Sequence, residues 1–210
     1  MARKTKRPVT KGQETRAITE AEYSEIIRVM REGKPGFFKP NEKAAMALVL
    51  EANLGIRISD ITGIPATEDS PGTIGLRLCD IIRDGDRWRL SITEQKTGKP
   101  RYFTVPDDVR AYIVDYCYQN GIGQTEPIVG IKRRSVQDAL KKVTDFLGME
   151  RVGTHSFRKF FATKIYEDND HDVALVREIL QHTSLETTQR YLRVSSERVD
   201  LALKGNTNLI

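Results

Sequence analysis

The hydrophobic pattern changes period twice along the chain, first from helical to strand-like and then back. Thr19 and Glu22 form a capping box ahead of Tyr23, Ile26, Ile27 and Met30 at helical spacing, and Ile18 is placed to staple onto Tyr23. Gly33 closes this helix. Pro35 and Pro40 frame a loop, and Asn41 caps a second helix through Ala44–Glu51 that ends at Gly55. Its uniformly apolar stretch predicts a central core position. Ser59 reads as the N-cap of a further helix, so Arg57 falls in a tight turn between two helices.

Alternation then takes over. Leu76–Arg83 reads as a strand, Asp84-Gly85 as a hairpin turn, and Arg87–Thr93 as a second strand with Trp88, Leu90 and Ile92 on one face. Lys96-Thr97-Gly98-Lys99-Pro100 is the next turn, and Arg101–Val105 a third strand. Helical periods return over 107–119, over 136–147 behind Ser135, and over 155–168 behind Thr154. They continue over 172–182, over 185–193 behind Ser184, and over about 196–204. The expected class is mostly α with a small antiparallel β-sheet, an α+β fold in one domain.

Composition narrows the picture. A length of 210 residues can bury a core without staples. The two cysteines, Cys79 and Cys117, exclude a disulfide framework and a cysteine-based zinc module. The longest apolar run, Ala44 to Leu50, is too short to span a membrane, and no signal-peptide pattern is present, so a cytoplasmic location is expected. The net charge of +5 is concentrated in residues 1–17, where Arg3, Lys4, Lys6, Arg7, Lys11 and Arg16 face Glu14 alone. The rest of the chain is formally balanced. Such an arm suits a phosphate backbone, where counterion release drives binding, and equally suits a solubilising terminus.

Singly, the candidate chemical residues are unremarkable: a lone His is more often structural, and a lone Tyr more often packs. Their order is more informative. Arg57 lies in Leu54-Gly55-Ile56-Arg57-Ile58-Ser59-Asp60, and Lys96 on the tip of Glu94-Gln95-Lys96-Thr97-Gly98-Lys99. His155 and Arg158 share one helix face in Thr154-His155-Ser156-Phe157-Arg158-Lys159. His182 and Tyr191 lie in a run from Leu180 to Tyr191 that includes Thr187-Thr188. In residue type, spacing and local context this series resembles the tyrosine recombinase (phage integrase) family over about residues 18–194.

The resemblance implies a role for each residue. Arg57 and Arg158 clamp the non-bridging oxygens of a scissile phosphate with permanently charged planar forks. His182 is the neutral donor that completes the cradle, and Tyr191 the nucleophile. His155 assists the transfer of the tyrosine proton, because a free phenol with a pKa near 10 needs help to react. Lys96, on a mobile hairpin tip, protonates the departing 5′ hydroxyl, with Lys99 its nearest competitor. Asp60 matches an acid that orients the active-site histidine, although a first-turn aspartate is also an ordinary helix feature.

The implied product is a 3′-phosphotyrosyl enzyme and a free 5′-OH. The phosphodiester energy is retained, so no ATP, cofactor or divalent metal is required. A metal site also reads poorly: His155 and His182 lie far apart in sequence, and no His-Glu-x-x-His or cysteine pair is present.

The implied partners are double-stranded DNA, a homo-tetramer on paired sites assembled from solution monomers, and accessory DNA-bending proteins. The setting would be a bacterial nucleoid, a phage or another mobile element. Further DNA contacts are expected from the arm and from Lys132, Arg133 and Arg134, with Arg190 and Arg193 flanking the site. Residues 195–210, with Val199, Leu201 and Leu203, either dock on a neighbouring protomer or pack on their own domain.

Two departures from the family stand out. Gln181 occupies the place of a usual glycine before His182, where another helical residue is an acceptable replacement. Only 17 residues precede the first helix, where most members carry a separate core-binding domain. A piece of a longer protein and a compact member, similar in size to the fimbrial-switch invertases, are both consistent with this, and Met1 favours the second. Two rival functions share the pattern: strand cleavage and religation without exchange, as in type IB topoisomerases, and non-catalytic DNA binding. A pure binder would have no need of Tyr191 or Lys96.

Overall fold

The computed structural model describes residues 14–69, 71–181 and 185–192. Eight α-helices and two small antiparallel sheets are assigned among them.

α1 (Glu20–Glu32) starts at the expected capping box, with the Thr19 N–H donating to Glu22 at 2.9 Å and the Glu22 N–H donating to Thr19 Oγ1 at 3.2 Å. Ile18 is buried, and Tyr23 packs against the same core, as the staple requires. α2 (Glu42–Leu54) starts at Asn41, whose side chain accepts the Ala44 N–H at 3.0 Å. Ten of its thirteen residues are buried, so it is the axis of the core. It packs chiefly on α6 (Thr154–Asp168), with α1 and α5 (Arg133–Phe146) on its other sides.

α3 is a single five-residue turn, Ile58–Thr62. Ser59 lies inside it, and the N-cap position belongs to Arg57 in extended conformation. Two other caps are displaced in the same way. α5 begins at Arg133 with Lys132 at the cap, and α6 begins at Thr154 behind Gly153. At α6 the cap bond runs backwards, with the Gly153 N–H donating to Ser156 Oγ at 3.1 Å.

A two-stranded sheet, β1 (Gly63–Ile64) with β2 (Thr73–Ile74), was not legible because each strand has only two residues. The expected strand Leu76–Arg83 is also shorter than its pattern. Residues Leu78–Asp80 form a 3₁₀ turn, closed by the Asp80 carboxylate accepting the Arg77 N–H at 2.9 Å. β3 therefore covers only Ile81–Asp84. β4 (Arg87–Thr93) and β5 (Pro100–Val105) complete the expected meander in the order β3-β4-β5. Register pairs Trp88 with Val105, Leu90 with Phe103 and Ile92 with Arg101. The inner face is thus apolar at one end and charged at the other.

α4 (Asp107–Gln119) follows the sheet, and its Arg110 guanidinium lies 3.5 Å from the Trp88 ring centre of β4. α7 (Val173–Leu180) and α8 (Leu185–Leu192) close the described chain. Val176, Leu180 and Leu192 join Ala162 of α6 in a second apolar cluster. The helix expected over 196–204 and the Ser184 cap lie outside the described residues. No described helix is long and apolar enough to cross a membrane.

Gly55 sets the approach to the site. It ends α2 at φ +57°, ψ +20°, a left-handed conformation that glycine adopts without steric cost. A methyl group there would collide with the Phe161 ring of α6. Gly55→Ala should therefore lose about 2 kcal/mol or more of stability in chemical denaturation. An unchanged midpoint would show that this turn is not tightly held.

Candidate active site

Arg57, Lys96, His155 and Arg158 line one cleft of about 1580 Å³. They come from four places: the α2–α3 turn, the β4–β5 turn, and two successive turns of α6. The two arginines therefore line a common space. Gln95, Thr97, Arg133, Arg134, Lys141 and Arg151 are also on its wall.

Arg158 is 1% exposed and donates from Nη2 to the Leu180 carbonyl at 3.1 Å. The last carbonyls of α7 lack helical partners, so this bond satisfies one of them and ties α6 to the segment before His182. Arg57 donates from Nη1 to Glu94 Oε2 at 2.6 Å. Glu94 is 1% exposed, and its other oxygen accepts Arg101 Nη1 at 3.0 Å. Thr97 Oγ1 donates to Glu94 Oε2 at 2.9 Å, which links the Lys96 turn to the same carboxylate. Burial alone would raise the Glu94 carboxyl, but Arg57, Thr97 and Arg101 outweigh it and hold the carboxyl below its ordinary value.

Arg101 is as buried as Arg158, donates to the Gly55 carbonyl at 3.4 Å, and lies 4.9 Å from the Phe103 ring centre. Burial and the nearby Arg158 charge lower its pKa to about 10, against the pull of Glu94, so it stays protonated at neutral pH. Neither Glu94 nor Arg101 was picked out as a site residue from sequence. The signal was present in strand parity: Glu94 follows Trp88, Leu90 and Ile92 on the inner face, and Arg101 precedes Phe103 and Val105.

Asp60 is also buried, and its Oδ1 accepts the Gln95 N–H at 2.9 Å, which fixes the residue before Lys96. Its carboxyl is raised, first by burial, with the Gln95 bond and Arg57 opposing and Glu94 adding. Glu51 of α2 is wholly buried, and burial raises its carboxyl well above the ordinary value despite Arg158.

Gln181 caps α7 at φ +53°, ψ +39°. The position is left-handed rather than helical, which explains why glycine would suit it. The glutamine gains something in exchange: its Nε2 donates to the Pro100 carbonyl at 3.2 Å, joining the end of α7 to the β5 strand.

His155 sits in the cleft with a pKa lowered to about 4, first by desolvation and then by Arg158, Lys159, Arg57 and Lys96. It is therefore neutral at pH 7.

Arg133 and Arg134 lie on the cleft wall, with Arg134 paired to Asp138 at 3.0 Å. Lys132 is exposed just outside it, and Lys99 is exposed on the β4–β5 turn. Glu14 to Arg16 are held at the rim. Lys159, 3% exposed, donates to Glu14 at 3.0 Å and to the Thr15 carbonyl at 2.6 Å, and the Arg16 N–H donates to the Arg151 carbonyl at 3.0 Å. Arg3, Lys4, Lys6, Arg7, His182 and Arg193 lie outside the described residues. The Tyr191 and Arg190 backbones belong to α8, and their side chains lie outside the described residues.

The fold is that of tyrosine recombinase catalytic domains. The XerH site-specific recombinase, in a post-cleavage complex with a palindromic difH substrate, superposes with a TM-score of 0.63 at 16% identity over 93% of this chain and 55% of that one. The catalytic domain of bacteriophage HP1 integrase superposes with a TM-score of 0.58 at 16% identity over 92% of this chain and 96% of that one.

In sequence, residues 16–198 match the phage integrase family, and the chain belongs to it. The probable integrase/recombinase YoeC of Bacillus subtilis is 24% identical over 186 residues, 85% of this chain and 92% of that protein. The tyrosine recombinase XerC of Pelobacter propionicus is 29% identical over 153 residues, 69% of this chain and 45% of that protein. The chain spans nearly the whole of YoeC but about half the length of such Xer relatives.

The His155 environment has a direct readout. In the DNA-free protein its NMR titration should have a midpoint near 4, and an ordinary value near 6.5 would contradict the crowded site. Because the folded value lies below the unfolded one, the unfolded chain takes up this proton first as pH falls. The stability this group contributes is full above pH 6.5 and is lost as pH falls through 4.

Proposed function

We propose that this chain is a site-specific DNA recombinase that breaks and rejoins DNA through a 3′-phosphotyrosine intermediate. The observation that carries the reading is the convergence of Arg57, Lys96, His155 and Arg158, from three separate parts of the fold, on one cleft.

Arg57 and Arg158 bind the two non-bridging oxygens of the scissile phosphate, and His182 donates a hydrogen bond beside them. Both guanidiniums reach the cleft from fixed, protein-bonded positions, so little reorganisation is needed as charge builds on phosphorus. Tyr191 Oη attacks the phosphorus in line and passes its proton to neutral His155. The bond from phosphorus to the 5′ oxygen breaks, and Lys96 gives that oxygen its proton. The products are a phosphotyrosyl ester on the 3′ side and a free 5′-OH. A second 5′-OH reverses the same steps and rejoins the strand. The energy of one phosphodiester passes into the other, so the exchange is close to balanced.

The DNA path runs over the cleft wall, where Arg133 and Arg134 meet phosphates, with Lys132 and Lys99 at its margin. Arg3, Lys4, Lys6 and Arg7 extend the path by gripping backbone, a reading supported by the anchorage of Glu14 to Arg16 at the cleft rim. Four copies on two paired sites complete the reaction, and residues 195–210 supply contact between copies through Val199, Leu201 and Leu203. One of the similar solved structures is a lambda integrase tetramer bound to a Holliday junction, with a TM-score of 0.56 at 19% identity over 89% of this chain and 51% of that one. The protein acts inside the cell, on a chromosome or a mobile element, with DNA-bending proteins as accessories.

The test is chemical. A duplex selected from random sequence for binding, and nicked near the cleavage point, should trap a denaturant-resistant protein–DNA adduct. Tyr191→Phe should abolish it. Absence of an adduct from the unsubstituted protein, or its persistence in the variant, contradicts the reading.

A further inference from the structure

We infer that Glu94 is a positioning residue for Arg57, and that Arg101 is the buried counter-charge that lets a carboxylate do this beside a phosphate site. The inference rests on the strand-cleavage reading and adds to it two residues that do not themselves touch the reacting phosphate.

The geometry is specific. Glu94 Oε2 accepts one edge of the Arg57 fork at 2.6 Å and Oε1 accepts Arg101 at 3.0 Å, with both partners of the second bond 1% exposed. The Arg57 side chain keeps 17% of its surface exposed and lines the cleft, so one edge is held while the remainder faces the substrate space. A guanidinium is suited to this because its donors are rigidly related: fixing one edge orients the other.

A carboxylate next to a phosphate-binding arginine has an obvious cost. Arg57 and Glu94 alone form a neutral pair and would attract an incoming phosphate weakly. Arg101 restores the balance, so the three side chains together carry one positive charge. Its depth is part of the design: at 1% exposure, and bonded to the Gly55 carbonyl, it faces the protein rather than the DNA. The Thr97 hydroxyl, on the same oxygen as Arg57, carries the arrangement into the Lys96 turn. A carboxylate needed only to close that turn would not require two arginines. The turn is already closed by the Glu94 N–H donating to the Lys99 carbonyl at 2.9 Å and by the Gly98 N–H donating to the Glu94 carbonyl at 2.8 Å.

The test uses the full chain with Glu94→Gln. Nitrogen NMR of the arginine side chains, with Arg57 assigned through Arg57→Lys, reads the restraint without any cleavage. Arg57 should show separate, slowly exchanging Nη signals in the unsubstituted protein and averaged signals in Glu94→Gln. An Arg57 that rotates freely in the unsubstituted protein overturns the inference.

Single-turnover cleavage gives the second readout. On an ordinary duplex Glu94→Gln should lose about tenfold or more in rate at saturating DNA, as expected for a misplaced clamp. On a duplex with a neutral methylphosphonate at the scissile position the loss should shrink below about threefold, because there is less charge for Arg57 to neutralise. Lys96→Ala should lose equally on both substrates. A Glu94→Gln rate within about twofold of the unsubstituted protein, or an equal loss on both substrates, overturns the inference.

If Glu94→Gln fails to fold, Glu94→Gln with Arg101→Met removes both buried charges together, and must show the same loss and the same averaged signals. If the unsubstituted protein forms no adduct on any duplex, the strand-cleavage reading fails, and the arginine signals still decide whether Glu94 holds Arg57.

Discussion

Crowded positive charge is the constraint on which this structure turns. Arg57, Lys96, Arg101, Arg158 and Lys159 all lie close enough to His155 or to one another to shift a neighbour's proton affinity. A phosphate would neutralise that crowd, but the protein must fold without one. Buried acids solve the problem from beneath. Glu94 lies between two arginines and is held ionised by them, and Asp60 grips the backbone before Lys96. Arg57 and Arg101 are thereby kept in place, and with Glu94 they carry one net positive charge.

The fold supplies what the acids cannot. α2 is buried on nearly every side and acts as a fixed axis, with α6 packed along it. Arg57 leaves the end of that axis through the left-handed turn at Gly55, whose carbonyl is bonded by Arg101. His155 and Arg158 are one helical turn apart on α6. Of these four described residues, Lys96 alone stands between strands rather than on a helix or its edge, and its turn is held from three directions. Glu94 and Asp60 hold it from below, and Gln181 holds the adjoining start of β5. Rigid guanidiniums and a more mobile ammonium suit a phosphate clamp and a proton donor respectively.

Much of this was legible in the sequence, and the reasons differ by element. α1 and α2 were readable because capping chemistry and helical period agree at Thr19, Glu22 and Asn41. The β4–β5 hairpin was readable because alternation brackets a glycine-containing turn. Ser59, Ser135 and Thr154 misled because a cap-forming side chain inside the first turn looks the same in sequence as one at the cap. The segment at Leu78–Asp80 misled because Asp80 closes a local turn that competes with the strand. In the site, residue order and spacing singled out Arg57, Lys96, His155 and Arg158, and the fold brings these four to one cleft. Glu94 and Arg101 went unassigned because a charged residue on an inner strand face has meaning only once its partner's register is known. Gln181 shows the same limit: its left-handed backbone was hinted at by the missing glycine, but its bond to Pro100 depends on a contact 81 residues away.

The central claim is that these scattered side chains meet at a single phosphorus. A structure of the Tyr191→Phe protein bound to a duplex carrying its own cleavage site measures this directly. The account predicts one backbone phosphate in the cleft, with Arg57 and Arg158 on its non-bridging oxygens, residue 191 facing it in line, and Lys96 beside the 5′ oxygen. A duplex bound on another face, or a phosphate reached by only one of the two guanidiniums, would contradict it.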